Sequence, residues 1–169
     1  MSHSREERIR NIESALRLVM EELGSRAIWE LLVDPDNAHY ADIYSTTWEE
    51  MKNHYLLKAF PVIGHTDYGL TGYGWLKGLE LLGKIEQAKV EVGKITKAIK
   101  DCMDGRNEIK FVYSDPIASA AGVSEGFLHN VIESDFISIV LRRYTVEPDL
   151  RGAARYLFTI PVNFGQEIL

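Results

Sequence analysis

Apolar residues recur at helical spacing along two stretches of the chain. The first stretch lies between about Ser4 and Leu23 and contains Ile9, Ile12, Leu16, Val19 and Leu23. The second contains Leu81, Ile85, Ala88, Val92, Ile95, Ile99 and Cys102. Spacings of three and four place each set along one side of a helix. The pattern therefore predicts two long amphipathic helices, the second running from about Tyr73 or Gly83 to Asp104, with Gly83 or Gly93 able to break or kink it.

Between these stretches the pattern is shorter and changes period. Short helices are predicted over 25–33 and 38–44, on either side of the turn residues at 34–37. A helix over about 45–59 follows, with Thr46 or Thr47 as its N-cap. Two short strands, 60–63 and 68–71, then flank a turn at 64–67, and Thr71 can cap the next helix. This segment is predicted to form a small hairpin.

The stretch from Ile117 to Val131 has the residue types of a helix-turn-helix. Ala118 lies four residues before Gly122, which can adopt the left-handed angles that close a first helix. Ser124 is a good N-cap for a second helix, and Glu125 complements its dipole. The apolar residues of that second helix are expected on one buried face: Leu128, Val131 and Ile132.

Strands are predicted on both sides of this motif, at 109–113, 136–141 and 155–161, with a loop at 147–152. Helix, strand, helix, helix, strand, wing and strand is the element order of a winged helix, and the region 83–161 resembles that superfamily. Separately, the segment 68–74 resembles the Tyr-x-Leu-Thr-x-x-Gly run of winged-helix regulators of the MarR and PadR type. We therefore predict a mainly helical α+β protein with small hairpins, built from two tandem winged-helix units, 1–82 and 83–169, joined by the long helix.

The resemblance implies candidate residues for contacting DNA. On the second helix of the motif, Ser124, His129 and Asn130 are expected on the exposed side, where the last two could donate to bases. Arginines on or beside the wing could bind phosphates or enter a minor groove: Arg142, Arg143, Arg151 and Arg155. Alternatively, these arginines pair with Glu147, Asp149 or acidic residues of the helices.

Charge limits the DNA hypothesis without excluding it. The 169-residue chain carries a net charge of −6, which disfavours non-specific coating of nucleic acid. Between Asp115 and Ser134 there is no Lys or Arg. The predicted function is a DNA-binding or nucleoprotein-associated regulator. The alternative is a winged-helix module that binds a protein partner and no nucleic acid, and the charge around His129 and Asn130 distinguishes the two.

Catalytic chemistry has little support in the sequence. The five histidines are scattered without the spacing of a metal site, and the glycines do not form a phosphate-binding loop. We predict that the protein is not an enzyme and uses no cofactor or metal. Trp29, Trp48 and Trp75 are predicted to be core anchors.

The sequence also predicts where the protein is located and how it assembles. The single cysteine, the lack of an apolar signal core and the lack of a membrane-spanning apolar run favour a cytoplasmic protein that does not enter a membrane. The two apolar helix seams could pair in a homodimer or pack within one chain. Dimerisation would place two binding faces side by side.

Overall fold

The computed structural model describes residues 2–103, 110–134, 136, 144–148 and 154–160. The chain divides into two compact units, Met1–Ile85 and Glu86–Leu169; the sequence-based boundary lay between 82 and 83. The α-helices of the described residues are α1 Arg5–Leu23, α2 Ser45–Asn53, α3 Gly72–Leu81, α4 Ile85–Met103, α5 Ser114–Ala121 and α6 Glu125–Glu133. The strands are β1 Leu57–Val62, β2 His65–Leu70, β3 Lys110–Tyr113, β4 Tyr144–Pro148 and β5 Ala154–Ile160. The prediction of a mainly helical α+β protein is confirmed.

Helix α1 begins and ends where the sequence predicted. The Ser4 hydroxyl accepts a hydrogen bond from the backbone N–H of Glu7, and the Glu7 carboxylate accepts one from the Ser4 N–H. This capping box satisfies two N–H groups that the helix itself leaves unpaired. Gly24 ends the helix with a positive φ of 57°.

Three of the short helical predictions are too long. In place of helices over 25–33 and 38–44 there are only 3-10 turns, Ile28–Glu30 and Ala38–Tyr40. Helix α2 ends at Asn53 and not at about Ala59, because Tyr55 adopts a left-handed φ of 62° that no helix can continue through. The chain then enters β1.

The predicted hairpin is present and is longer than expected. Strands β1 and β2 pair in antiparallel register from Leu57 opposite Leu70 to Val62 opposite His65, so the turn is reduced to Ile63 and Gly64. An aromatic cluster lies behind the hairpin: the Trp48 ring stacks on Tyr68 at 5.9 Å and meets Tyr40 edge-on at 5.2 Å. Together with apolar residues of α1 and α3, this cluster forms the core of the N-terminal unit.

Helix α3 begins directly against the start of the hairpin. Thr71 caps it as predicted, because its hydroxyl oxygen accepts a hydrogen bond from the Gly74 N–H at 2.9 Å. A Cβ at Gly74 would overlap the carbonyl oxygen of Leu56. The absence of a side chain at this position therefore allows helix and strand backbones to touch.

The break at Gly83, one of the two that were predicted, sets the start of the second long helix. Gly83 has a φ of 68° and separates α3 from α4, so Leu81 belongs to α3, and the second long helix starts at Ile85. Gly93, the other candidate break, lies inside α4.

The C-terminal unit contains a three-stranded antiparallel sheet in the order β3-β5-β4. The turn between α5 and α6 lies where it was predicted, with Gly122 in the left-handed conformation at φ 69° and Ser124 as the cap of α6. The predicted strand 136–141 lies outside the described residues except for Phe136. Strand β4 extends through Pro148, so the loop predicted from 147 was placed too early.

The apolar seams assigned to a homodimer are largely covered within one chain. The buried members are Leu16, Val19, Leu23, Ala88, Ile95 and Ile99. These six residues are buried in the single chain, and the homodimer stays a prediction. Ile9 and Tyr73 remain exposed. Of the three tryptophans predicted to be core anchors, Trp48 and Trp75 are buried. The prediction for Trp29 was wrong, because its side chain is exposed.

A matched pair of glycine substitutions tests the turn between α5 and α6. A Cβ would meet no atom within 4 Å at either Gly122 or Gly93, but only Gly122 has a positive φ. We expect Gly122→Ala to lower the free energy of unfolding by about 1–2 kcal/mol. Gly93→Ala should raise it by about 0.5–1 kcal/mol, because alanine favours a helix. Urea unfolding of both variants measures the difference; equal effects would contradict the left-handed turn.

Candidate functional site

The α5–α6 pair is the site that the sequence singled out, and its local geometry is well defined. The N–H of Val123 donates to the Ala118 carbonyl at 3.0 Å, which closes α5. The Ser124 hydroxyl accepts a hydrogen bond from the Phe127 N–H, also at 3.0 Å. Ser124 is exposed at the start of α6, as a residue contacting a ligand would be.

The other two predicted contact residues of α6 are buried, contrary to the prediction. His129 is 3% exposed and Asn130 is 2% exposed. Leu128 and Val131 are also buried, so four consecutive residues lie inside. Since each residue of a helix turns by about 100°, these four cover most of its circumference. The sequence predicted a single buried face on α6. The middle of this helix is instead buried around most of its circumference.

Burial also determines the charge of His129. Loss of contact with water lowers the pKa of this imidazole to about 4, because the charged form is the one that burial disfavours. His129 is therefore neutral at neutral pH. It offers neither a cation for phosphate nor an exposed donor for a base edge.

The wing arginines are only partly covered by the structure. Arg142, Arg143 and Arg151 lie outside the described residues. Arg155 belongs to β5, where its register partner is Glu147 of β4.

A second surface, which the sequence analysis did not identify, lies on the hairpin of the N-terminal unit. Its inner face carries buried Leu57, Tyr68 and Leu70. Alternation along the strands puts the intervening residues on the other side, which we call the outer hairpin face: Lys58, Phe60, Val62, His65, Asp67 and Gly69.

This outer face is apolar at its centre and towards its tip. Phe60 and Val62 are exposed, and Ile63 at the turn is fully exposed. The Phe60 ring lies over Gly69, where a Cβ would approach the ring to 2.8 Å. The Lys58 ammonium lies 5.5 Å from the centre of the same ring. The signal for this surface was present in the alternation of 57–62, but the sequence analysis started the strand three residues too late.

A third segment extends the outer face on the β2 side. Val33 forms an isolated bridge with Tyr68, with N–H to carbonyl distances of 2.7 and 2.9 Å. Val33 is buried, and Leu32 beside it is exposed. The 3-10 turn that carries exposed Trp29 also contacts β2. Leu32, Phe60, Val62 and Ile63 together form what we call the apolar patch.

The N-terminal unit also has a groove between α1 and α3. Its volume is about 620 Å³, and its walls include Ile9, Ile12, Leu56, Tyr73 and Leu81. Lys77 and Glu80 also line it, and Lys77 is paired with Glu80 at 3.2 Å. We assign no catalytic chemistry to this groove.

Comparison with protein-family models, with curated proteins and with solved structures produced no match. In the described part of the chain, no helix has the length and apolar character needed to cross a bilayer.

The burial of His129 predicts a pH dependence of stability. Its pKa is about 4 in the native state against an ordinary 6.5, so between these values the unfolded chain binds a proton that the native protein does not. Burial of the neutral imidazole makes its full contribution to the free energy of unfolding above pH 6.5. That contribution is lost as the pH falls towards 4, by up to about 1.4 kcal/mol per pH unit. We expect His129→Gln to show a smaller loss of unfolding free energy between about pH 7 and about pH 5 than the parent.

The control for this comparison is His54→Gln, which removes an exposed histidine. Urea unfolding at each pH measures the free energies. The same pH slope in the parent and in His129→Gln would show that His129 does not titrate as a buried group.

Proposed function

We propose that this protein is a tandem winged-helix interaction module that binds a protein partner through the apolar patch of its N-terminal hairpin. The apolar patch carries this proposal. Isolated exposed apolar residues are normal on a protein surface, whereas contiguous ones mark interaction sites. Phe60 and Val62 are neighbours on one face of β1, and Ile63 projects from the adjoining turn.

The winged-helix part of the proposal is supported by the topology of the C-terminal unit. Its described elements follow the order helix, strand, helix, helix, strand, strand. Strands β4 and β5 form a hairpin, and β3 adds to β5, which gives the order β3-β5-β4. A helix pair closed by a left-handed glycine, followed by a hairpin in the same sheet as the preceding strand, is the arrangement that the resemblance implies.

The N-terminal unit supports the tandem arrangement through its own hairpin. Strands β1 and β2 follow α2 and lead through Thr71 into α3. The segment 68–74 at this junction carries the resemblance to MarR and PadR regulators. In the proposal each unit therefore has a helix followed by a wing, and the first wing carries the apolar patch.

A protein partner is favoured over DNA by the chemistry of α6. Specific DNA contacts in a groove rely on exposed Arg, Lys, Asn or Gln side chains. Helix α6 has no Lys or Arg, and its Asn130 and His129 are buried. Exposed Glu133 adds negative charge near the helix end. Winged-helix folds serve both uses, so the surface and not the fold has to decide.

Recognition by the hairpin is expected to use its face and not its free edge. Among the described strands, only β2 pairs with β1. Pro61 interrupts β1 and has no N–H to offer to an added strand. A partner with an apolar pocket for Phe60, Val62 and Ile63 is therefore favoured over a partner that extends the sheet.

The rival function, a DNA-binding or nucleoprotein-associated regulator, is favoured by one observation on α4. Lys94, Lys97 and Lys100 are exposed along this helix. They could neutralise phosphates without reading sequence. In that case binding would be strongly salt-dependent.

A site-specific crosslinking experiment tests the protein-partner proposal. A photo-crosslinking amino acid is placed at Ile63 in cells of the source organism, and the control places it at Tyr55. Both positions are exposed, but they lie at opposite ends of β1, about 20 Å apart along the strand. We expect one discrete protein adduct from position 63 and none from position 55, and Phe60→Ser with Val62→Ser should abolish the adduct. No adduct at 63, or one that nuclease treatment removes, would contradict the proposal.

A salt titration on random duplex DNA tests the rival. We expect an affinity for DNA weaker than about 10⁻⁴ M at physiological salt. Tighter binding that falls by about 10³-fold or more between 50 and 200 mM salt would instead support phosphate contacts. The triple variant Lys94→Gln, Lys97→Gln, Lys100→Gln would then show whether α4 makes them, with Lys77→Gln on α3 as the control.

A further inference from the structure

Three metal-ligating side chains meet on the outer hairpin face. They are Asp34, His65 and Asp67, and one ligand atom from each lies within 4.8 Å of the others. His65 and Asp67 are two residues apart on β2 and therefore point to the same side. The Val33–Tyr68 bridge is antiparallel, so it places Asp34 opposite Asp67. Two different segments of backbone hold the three side chains together.

This arrangement sets two carboxylates opposite each other across paired backbone. Like charges directly opposite in an antiparallel pair are destabilising. A positive charge between the two carboxylates would remove that repulsion. Among the described residues, His65 is the nearest group that could carry this positive charge, since its Nε2 lies 3.0 Å from Asp67 Oδ1.

The contact between His65 and Asp67 is nevertheless not a hydrogen bond. Asp67 Oδ1 is shielded from solvent and accepts no hydrogen bond from any described residue, despite the short distance to the ring nitrogen. A nitrogen and an oxygen this close can both reach one metal ion. In tetrahedral coordination, bonds of about 2.0–2.2 Å to Zn²⁺ place adjacent ligand atoms about 3.3–3.6 Å apart, so the two atoms would separate by a few tenths of an ångström to share the ion. The ion would also supply a partner for Oδ1, which accepts no hydrogen bond from the described residues.

We propose that Asp34, His65 and Asp67 form a binding site for a divalent transition-metal ion such as Zn²⁺. One imidazole nitrogen and two carboxylate oxygens suit borderline ions of this class. Ca²⁺ and Mg²⁺ prefer more ligands, all of them oxygen. Three protein ligands leave at least one coordination position for water or for a group of a bound molecule.

The ion clamps the segment around Asp34 to the hairpin. The Asp36 N–H already donates to Asp34 Oδ1 at 2.9 Å and holds that carboxylate in place. The site does not depend on the protein-partner proposal, because the apolar side chains of the patch contribute no ligand.

Calorimetric titration of the chelator-treated full chain with Zn²⁺ tests the site. We expect one ion per chain. His65→Gln and Asp67→Asn should each weaken binding by more than about 100-fold, since even partners that only support a ligand are worth 10–100-fold. The matched controls are His54→Gln and Asp42→Asn, which change an exposed histidine and an exposed carboxylate outside the cluster and should retain the parent affinity.

A second measurement needs no substitution and is independent of how the variants fold. In the parent protein, Zn²⁺ should shift the imidazole NMR signals of His65 and leave those of His54 unchanged. Co²⁺, bound to the parent protein in place of Zn²⁺, should give visible absorption bands. Three results would overturn the proposal. The first is that no binding is found up to about 1 mM Zn²⁺, which would already be a weak affinity. The others are an unchanged affinity in both ligand variants and NMR shifts at His54 instead of His65.

Discussion

Tyr68 joins three parts of the N-terminal unit. Its backbone exchanges two hydrogen bonds with Val33, its ring stacks on Trp48, and its hydroxyl donates to Glu49. Burial and the neighbouring carboxylate raise the pKa of this hydroxyl, which keeps it a donor. One residue thus joins the hairpin, helix α2 and the segment around Val33. Without that join, the outer hairpin face would lose both its apolar border at Leu32 and the carboxylate of Asp34.

The two units differ in where they place chemistry. In the C-terminal unit, the polar side chains of α6 that a base-reading helix would expose are buried, and His129 remains neutral as a result. In the N-terminal unit, the polar and apolar groups that the core does not need lie on the outside of a hairpin. The position of these groups, and not the resemblance to regulators, led us to favour a protein partner.

Local signals were predicted well and contacts between distant segments were not. Thr71 and Ser124 each cap the helix that the sequence assigned to them, because a cap acts within three residues. The predicted cap of α2 was wrong, since the helix begins at Ser45 and both Thr46 and Thr47 lie inside it. Asp34 and Asp67 meet only through strand register, which no spacing along the chain reveals. The burial of His129 likewise arises from surroundings on several sides of α6, whereas periodicity describes one face.

The contact at Gly74 has a geometric consequence. Helix α3 lies with its backbone on the Leu56 carbonyl group, so no layer of side chains separates it from the root of the hairpin. Because the two backbones are in direct contact, main-chain atoms set the packing distance between α3 and the base of the hairpin, and that distance does not depend on the size or rotamer of any side chain.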